Sequence, residues 1–233
     1  MSALVARLFT IRQELMLELE RFILLWKYQH PVPPATLWWR LVLKRAVDVL
    51  GAIIGIVLFA PIMAIVAMAV FVDSEGPIVY SQKRVGRFGK PFTIYKFRSM
   101  RQDSEASGPV WSKGLRDDRL TRVGAFLRRS HLDELPQLFN VLMGDMSLVG
   151  PRPERPCFVE QLDDEIPSYD QRHLIKPGMT GLAQVHYRYD ASVSDVKRKL
   201  RFDLLYVKRM CLTLDFRIIF WTLAVVATGR GKS

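Results

Sequence analysis

The stretch Val49–Val72, VLGAIIGIVLFAPIMAIVAMAVFV, decides how the rest of this chain is read. It carries no charge and exceeds the roughly 20 apolar residues that cross a bilayer as one helix, so a single span is its default meaning. Two features argue for a different path. Pro61 lies near the middle, where it removes the N–H that would bond the carbonyl of Val57 and can bend the helix. Basic residues also flank both ends: Arg40, Lys44 and Arg45 before the run, and Lys83, Arg84, Arg87 and Lys90 after it. Spanning segments concentrate Lys and Arg on the cytoplasmic side alone. Both features predict a re-entrant helix-break-helix whose ends lie on one side of the membrane, with the break at Ala60-Pro61. Asp48, at the edge of the run, is expected to cap the helix or to pair with Lys44 or Arg45.

Working outward toward the N-terminus, Leu8, Ile11, Leu15, Leu19, Phe22 and Trp26 recur at three- and four-residue intervals between charged and polar residues, the pattern of an amphipathic helix. It lacks a signal-peptide cleavage site and is read as part of the mature protein. Three uses stay open for it: lying in the membrane interface, pairing with its copy in a homodimer, or covering the catalytic domain. His30-Pro31-Val32-Pro33-Pro34 reads as a linker. Trp38-Trp39 beside Arg40 reads as an interfacial anchor or as simple packing. The expected division is residues 1–40, amphipathic helix and linker; 41–75, re-entrant membrane helix; and 76–233, a cytosolic catalytic domain with interfacial helices.

Composition sets the outer bounds. A chain of 233 residues holds one catalytic domain plus membrane-active helices, and a second full domain is not expected. Its 34 Lys and Arg against 23 Asp and Glu give a net charge of +11, which calls for an anionic partner: nucleic acid, anionic lipid or a phosphorylated substrate. Cys157 and Cys211 are too few and too separated for a disulfide framework or zinc cluster, and read as ordinary buried thiols of a reducing compartment. His30, His131, His173 and His186 lack metal-ligand spacing.

The chemistry concentrates in Ser130–Pro153, SHLDELPQLFNVLMGDMSLVGPRP. Pro136 belongs to the first turn of a helix, which sets Asp133 and Glu134 near its positive end, where a carboxylate stays ionised and can attack phosphorus or hold a metal. Arg152, between two prolines, is a rigid donor fork for phosphate oxygens. Ser130 and Asp133 also fit a capping box for a helix starting slightly earlier. Asp145 and Ser147 read as turn and cap residues. Upstream, Ile78–Arg84 and Phe92–Met100 form a strand pair around a turn holding Gly86 and Gly89. Lys96 and Arg98 share one face of the second strand with Phe92 and Ile94, where two cations can grip a diphosphate or remain solvated. Arg119, Arg122, Arg128 and Arg129 precede the acidic pair as a basic face suited to solvent or anionic headgroups. Near the C-terminus, Leu214–Ala227 is interrupted by Asp215 and Arg217 and is too short to span, so it is expected to pack on the interface or the core.

Taken in order, Lys44-Arg45 with Asp48, Leu58-Phe59-Ala60-Pro61, QKRVG from Gln82, IYKFRSM from Ile94, Arg128, Leu132-Asp133-Glu134-Leu135, NVLMGDMSLVGPRP from Asn140, KPGMTGLAQV from Lys176 and Gly229-Arg230-Gly231 resemble the bacterial sugar transferase family, the monotopic phosphoglycosyl transferases acting on polyprenyl phosphates. The resemblance implies an α-rich α+β protein: a re-entrant helix in the cytoplasmic leaflet of the bacterial inner membrane and a compact cytosolic catalytic domain with a small β-hairpin. It implies transfer of a sugar 1-phosphate from a UDP-sugar to undecaprenyl phosphate with release of UMP, founding an exopolysaccharide or other glycan. In that scheme Asp133 is the nucleophile, Glu134 holds Mg²⁺, and Lys96, Arg98, Arg128 and Arg152 bind substrate phosphates. Lys44 and Arg45 meet a lipid phosphate or headgroup.

Three departures stand out. The family's usual Ser-Pro break is Ala60-Pro61 here. Leu182 stands where tryptophan is common, and His186-Tyr187-Arg188 where Asn-Gly-Arg is common, so donor identity does not carry over. The rival reading is a membrane-tethered basic binding protein without catalysis; no nucleic-acid-binding motif supports it, and no nucleic-acid partner is expected.

Overall fold

The computed structural model of the protein describes residues 34–102, 104, 117–187 and 193–228. The amphipathic segment from Leu8 to Trp26, most of the proline-rich linker, Arg188–Asp190 and Gly229-Arg230-Gly231 lie outside them. Two units divide the chain, residues 1–46 and 47–233. In the first, the opening turns of helix α1 (Pro34–Asp73) carry an exposed Trp39 and half-buried Lys44 and Arg45.

The second unit is, in its described residues, α-rich with two small sheets, the α+β class that the sequence predicts. Its order is the rest of α1, β1 (Val79–Val85), β2 (Pro91–Phe97), α2 (Arg122–Ser130), a 3-10 turn (Leu132–Glu134), α3 (Gln137–Met143), β3 (Ser147–Val149), α4 (Pro156–Glu165), a second 3-10 turn (Tyr169–Leu174), β4 (Gly178–Thr180), α5 (Leu182–His186), α6 (Val193–Arg209) and α7 (Leu212–Thr228). Among the described residues Trp39–Asp73 is the helix long and apolar enough to cross a membrane. The helix is continuous across Ala60 and Pro61, without the interruption that the sequence predicts. A proline removes a single N–H, and a long helix can absorb that loss as a bend.

Strands β1 and β2 pair antiparallel, Val79 opposite Phe97 and Arg84 opposite Phe92, within a residue or so of the expected bounds at most ends. Strand β2 stops at Phe97, three residues short of Met100, and that leaves Arg98 beyond the sheet. The second sheet, β3 parallel to β4, is invisible in the sequence because each strand has three residues. Gly150 and Gly178 let these backbones meet: a Cβ on Gly178 would overlap the Gly150 amide. Gly124 does the same for α2, whose backbone rests on the carbonyl of Ser99.

Among the described residues three apolar clusters hold the unit together. Ala52 of α1 packs with Phe92, Ile94, Val141 and Met146; Val66 and Val70 pack with Phe97 and Leu127. The third joins Val85, Val159, Leu162, Ile166, Tyr169, Val196 and Leu200. Asp48 accepts hydrogen bonds from Ser147 Oγ (2.9 Å) and Leu148 N (3.0 Å), which ties α1 to β3. Ser147 is thus a buried strand residue rather than the expected cap. Ser130 is likewise no capping-box residue: it ends α2 and its hydroxyl lies 2.9 Å from the carbonyl of Phe126. Cys157 and Cys211 are both exposed, contrary to the expected burial, because one lies on the outer face of α4 and the other between α6 and α7. In α7, Asp215 is buried and accepts from Tyr206 Oη at 2.6 Å, while Phe216, Phe220 and Leu223 face outward.

Candidate active site

The acidic pair is placed by a change of direction at His131. This residue ends α2 in the left-handed region (φ 58°) and opens the 3-10 turn that carries Asp133 and Glu134. A non-glycine residue there costs on the order of 1 kcal/mol, which the packing of both flanking elements must offset. Pro136 follows as the cap of α3, so the carboxylates lie just before the helix that the sequence predicts. Helix α3 is fastened to the sheet by Asn140, fully buried, which accepts from Tyr95 N (3.0 Å) and donates to Thr93 O (2.7 Å). The free edge of β2 is thereby satisfied, and Lys96 on the same strand comes against the acidic turn.

Lys96 Nζ lies 2.8 Å from Glu134 Oε1, and Arg152 donates to the same oxygen from 2.9 Å. Burial opposes ionisation of Glu134, but the charges of Arg152 and Lys96 outweigh it and hold the carboxyl well below the usual range. Lys96 is pushed below the ordinary lysine value by burial, against the pull of Glu134. Asp133 behaves oppositely. It is 6% exposed, and among the described residues no hydrogen bond engages its carboxylate. Burial and then the negative charge of Glu134 raise its pKa, with Lys96, Arg128 and His131 pulling the other way. The two neighbours are therefore unlike: Glu134 is a committed anion, and Asp133 is an uncommitted carboxyl whose charge is costly.

The expected cations separate in the same way. Arg152 keeps a side chain 43% exposed beside Glu134. Arg128 donates from Nε to Ser99 Oγ at 3.2 Å and acts electrostatically on Asp133. Arg98, expected among the phosphate ligands, is 5% exposed and turned elsewhere: its Nη2 bonds Ser74 O and Ser74 Oγ (3.0 Å) and reaches Val70 O (3.4 Å). That placement, one residue past β2, makes it the brace of the C-terminal end of α1. Ala60 and Pro61 are exposed in α1, remote in sequence from this cluster.

The fit to a divalent metal rests on Glu134. Mg²⁺ takes one or two carboxylates and completes its shell with water and substrate phosphates. Both described bonds of Glu134 converge on Oε1, and its negative charge is assured. No group of three His, Cys, Asp or Glu forms a cage among the described residues, so a metal at Glu134 would need water and substrate phosphates to complete its shell.

Sequence reading missed the groups behind Arg152. The carbonyls of Pro151, Arg152, Pro153 and Glu154 are each held, by Gly178 N (2.9 Å), Arg172 Nη2 (2.8 Å), Arg84 Nη1 (3.3 Å) and Val85 N (2.9 Å) respectively. Arg84 and Gly178 stood in recognised motifs without a site role. Arg172 had no signal, since Arg152 and Asp203, two of its partners, come from distant chain.

The family model described as bacterial sugar transferase matches residues 39–229. Over 189 residues the chain is 47% identical to the UDP-N-acetylgalactosamine-undecaprenyl-phosphate N-acetylgalactosaminephosphotransferase of Aeromonas hydrophila, covering 81% of this chain and 44% of that protein. It is 42% identical over 184 residues to the UDP-glucose:undecaprenyl-phosphate glucose-1-phosphate transferase of Klebsiella pneumoniae, 78% of this chain and 39% of the relative. With the exopolysaccharide production protein PSS of Rhizobium leguminosarum bv. phaseoli it shares 41% identity over 201 residues, 82% of this chain and 98% of the relative. The chain thus spans less than half of the first two relatives and nearly all of the third.

Proposed function

Because this chain belongs to the bacterial sugar transferase family, we propose that it is a monotopic phosphoglycosyl transferase that moves a sugar 1-phosphate from a UDP-sugar to undecaprenyl phosphate. The observation that carries the reading is the contrast inside the acidic turn: a buried, uncommitted Asp133 beside a Glu134 ion-paired to Lys96 and Arg152. An oxygen of Asp133 bonds to the phosphorus next to the sugar as the bond to UMP breaks, and UMP leaves with the electron pair. An oxygen of undecaprenyl phosphate then attacks the same phosphorus. The acyl-phosphate bond to Asp133 breaks, the carboxylate returns, and the lipid diphosphosugar departs. Lys96, Arg128 and Arg152 neutralise charge on the phosphoryl oxygens. Glu134 would hold Mg²⁺, which when bound supplies positive charge to the diphosphate.

The two anionic substrates need not meet in this scheme, and one of them is embedded in lipid. A re-entrant α1 on the cytoplasmic face of the inner membrane suits that requirement. Support comes from how the second unit holds the helix. Asp48 and Ala52 near the start of the apolar run, and Val66, Val70 and Asp73 near its end, all bond or pack against the same domain. Residues 56–62 between them contain no buried side chain. The ends of a spanning run lie on opposite faces of the bilayer, so contacts of one domain with both ends of α1 favour the re-entrant path.

The test is a radiolabelled panel of UDP-sugars, UDP-glucose and UDP-N-acetylgalactosamine included, with undecaprenyl phosphate and Mg²⁺. One donor should yield labelled lipid and UMP. Without lipid, UMP should appear in an amount limited by the enzyme, with an acid-sensitive adduct on Asp133. UMP release only in the presence of lipid, with no trappable adduct, would replace two steps by direct transfer. No turnover of any donor would leave a membrane-tethered binding protein.

A further inference from the structure

Arg152 poses a mechanical problem. It is flanked by Pro151 and Pro153, which lack N–H groups, so the turn that carries it can be held chiefly by its carbonyls. The carbonyl of Arg152 itself is taken by Arg172, whose guanidinium is 6% exposed and fully engaged. Arg172 Nη2 donates to Arg152 O at 2.8 Å, Nη1 donates to Tyr169 Oη at 2.7 Å, and Nε and Nη2 reach Asp203 Oδ2 at 3.1 and 2.8 Å. Asp203 lies on α6 and is 4% exposed; Tyr169 is 2% exposed and packs into the cluster with Val159, Leu162 and Ile166.

We propose that Arg172, clamped by Asp203 and Tyr169, is a positioning residue that fixes the backbone of Arg152 and so the reach of its guanidinium over Glu134. The inference rests on the reading of Glu134 and Arg152 as phosphate and metal ligands. Its physical ground is that a buried ion pair is a poor stability device, since desolvation of both charges offsets most of their attraction. What such a pair does supply is a fixed direction. Here that direction ends on the one backbone carbonyl that belongs to the site arginine, with rigid core behind it. A fork donor must meet its acceptors within a fraction of an ångström, and a misplacement of about 1 Å can cost as much as 100-fold in rate.

The experiment is a double-variant cycle on the full chain in detergent or bilayer nanodiscs, reading UMP release from the accepted UDP-sugar. Tyr169→Phe and Arg172→Lys are each measured in the unaltered enzyme and in the Arg152→Lys background, with thermal melting recorded for every variant. Expected are kcat losses of about 10-fold in the unaltered enzyme, shrinking to less than about twofold once Arg152 is already altered, because the clamp then has no fork to aim. Equal losses in both backgrounds would mean that the clamp serves only the fold, and overturn the proposal, as would an unaffected kcat. If Arg172→Lys fails to fold, Tyr169→Phe decides alone, because its hydroxyl bonds Arg172 and its ring packing is kept. Normal turnover by Arg152→Lys by itself would instead refute the premise about Arg152, a result visible before the clamp is tested.

Discussion

Arg152 and Arg98 occupy two regions that the sequence reads alike and the structure treats differently. Both are arginines near the acidic pair in the family pattern. At the rim of the acidic turn, Arg152 spends one nitrogen on Glu134 and keeps a side chain 43% exposed. At the end of α1, Arg98 is sealed at 5% exposure and its charge faces the carbonyls of Val70 and Ser74. A guanidinium that touches one carboxylate oxygen at an open rim can exchange it for a phosphate. One that caps a helix end cannot turn away without stranding buried groups. Position in a motif thus does not tell a ligand from a brace; the burial of the guanidinium and the groups it bonds do.

The comparison rests on the acidic turn being the reacting centre, so the largest effect is expected there. Asp133→Asn should lower UMP release by about 10⁴-fold or more and abolish the covalent adduct. It should not lower Tm. The folded-state pKa of Asp133 lies above its ordinary value, so its ionisation at neutral pH opposes folding, and the neutral amide removes that cost. Full activity, or a collapse of Tm, would move the reacting centre elsewhere.

Next in size is Arg152→Lys, for which kcat should fall about 100-fold with Tm nearly unchanged, since a point ammonium cannot replace a fork. Arg98→Lys should do the reverse: Tm falls by several degrees, corresponding to about 1–3 kcal/mol for stranded buried groups, while kcat measured well below the transition drops less than about tenfold. A large kcat loss at unchanged Tm for Arg98→Lys would restore it to the phosphate ligands and erase the distinction.

The smallest effect is a shift of the acid limb of the kcat profile. In the proposed scheme Asp133 attacks only when ionised, and its raised pKa then places that limb above the ordinary aspartate range. Glu134, held low, stays charged throughout. Lys96 favours the ionised Asp133, so Lys96→Gln should move the limb to higher pH whatever it does to the maximum rate. A downward shift would show that Lys96 acts on Asp133 only through Glu134.

Much of this molecule was legible from local rules. The apolar helix, the β1–β2 hairpin, the acidic pair ahead of a proline-started helix and the rigid Pro-Arg-Pro turn all follow from runs, alternation and proline chemistry within a few residues of one another. Local rules misjudged Ser130 and Ser147, because a short polar residue before an apolar run can cap, end a helix or enter a strand, and packing chooses among these.

Sequence alone determined which groups the protein possesses: an uncharged membrane-seeking run, two adjacent carboxylates, and cations spaced to reach them. Tertiary structure decided how those groups differ. Glu134 became the fixed anion and Asp133 the uncommitted one because Lys96 and Arg152, 38 and 18 residues away, converge on a single oxygen of Glu134. Arg98 became a brace because β2 ends one residue before it, and Arg172 came to hold the carbonyl of Arg152 because Asp203, 31 residues on, directs its charge inward. The identity of a side chain is local, but its protonation and its freedom to meet a substrate depend on neighbours that only folding brings within hydrogen-bond reach.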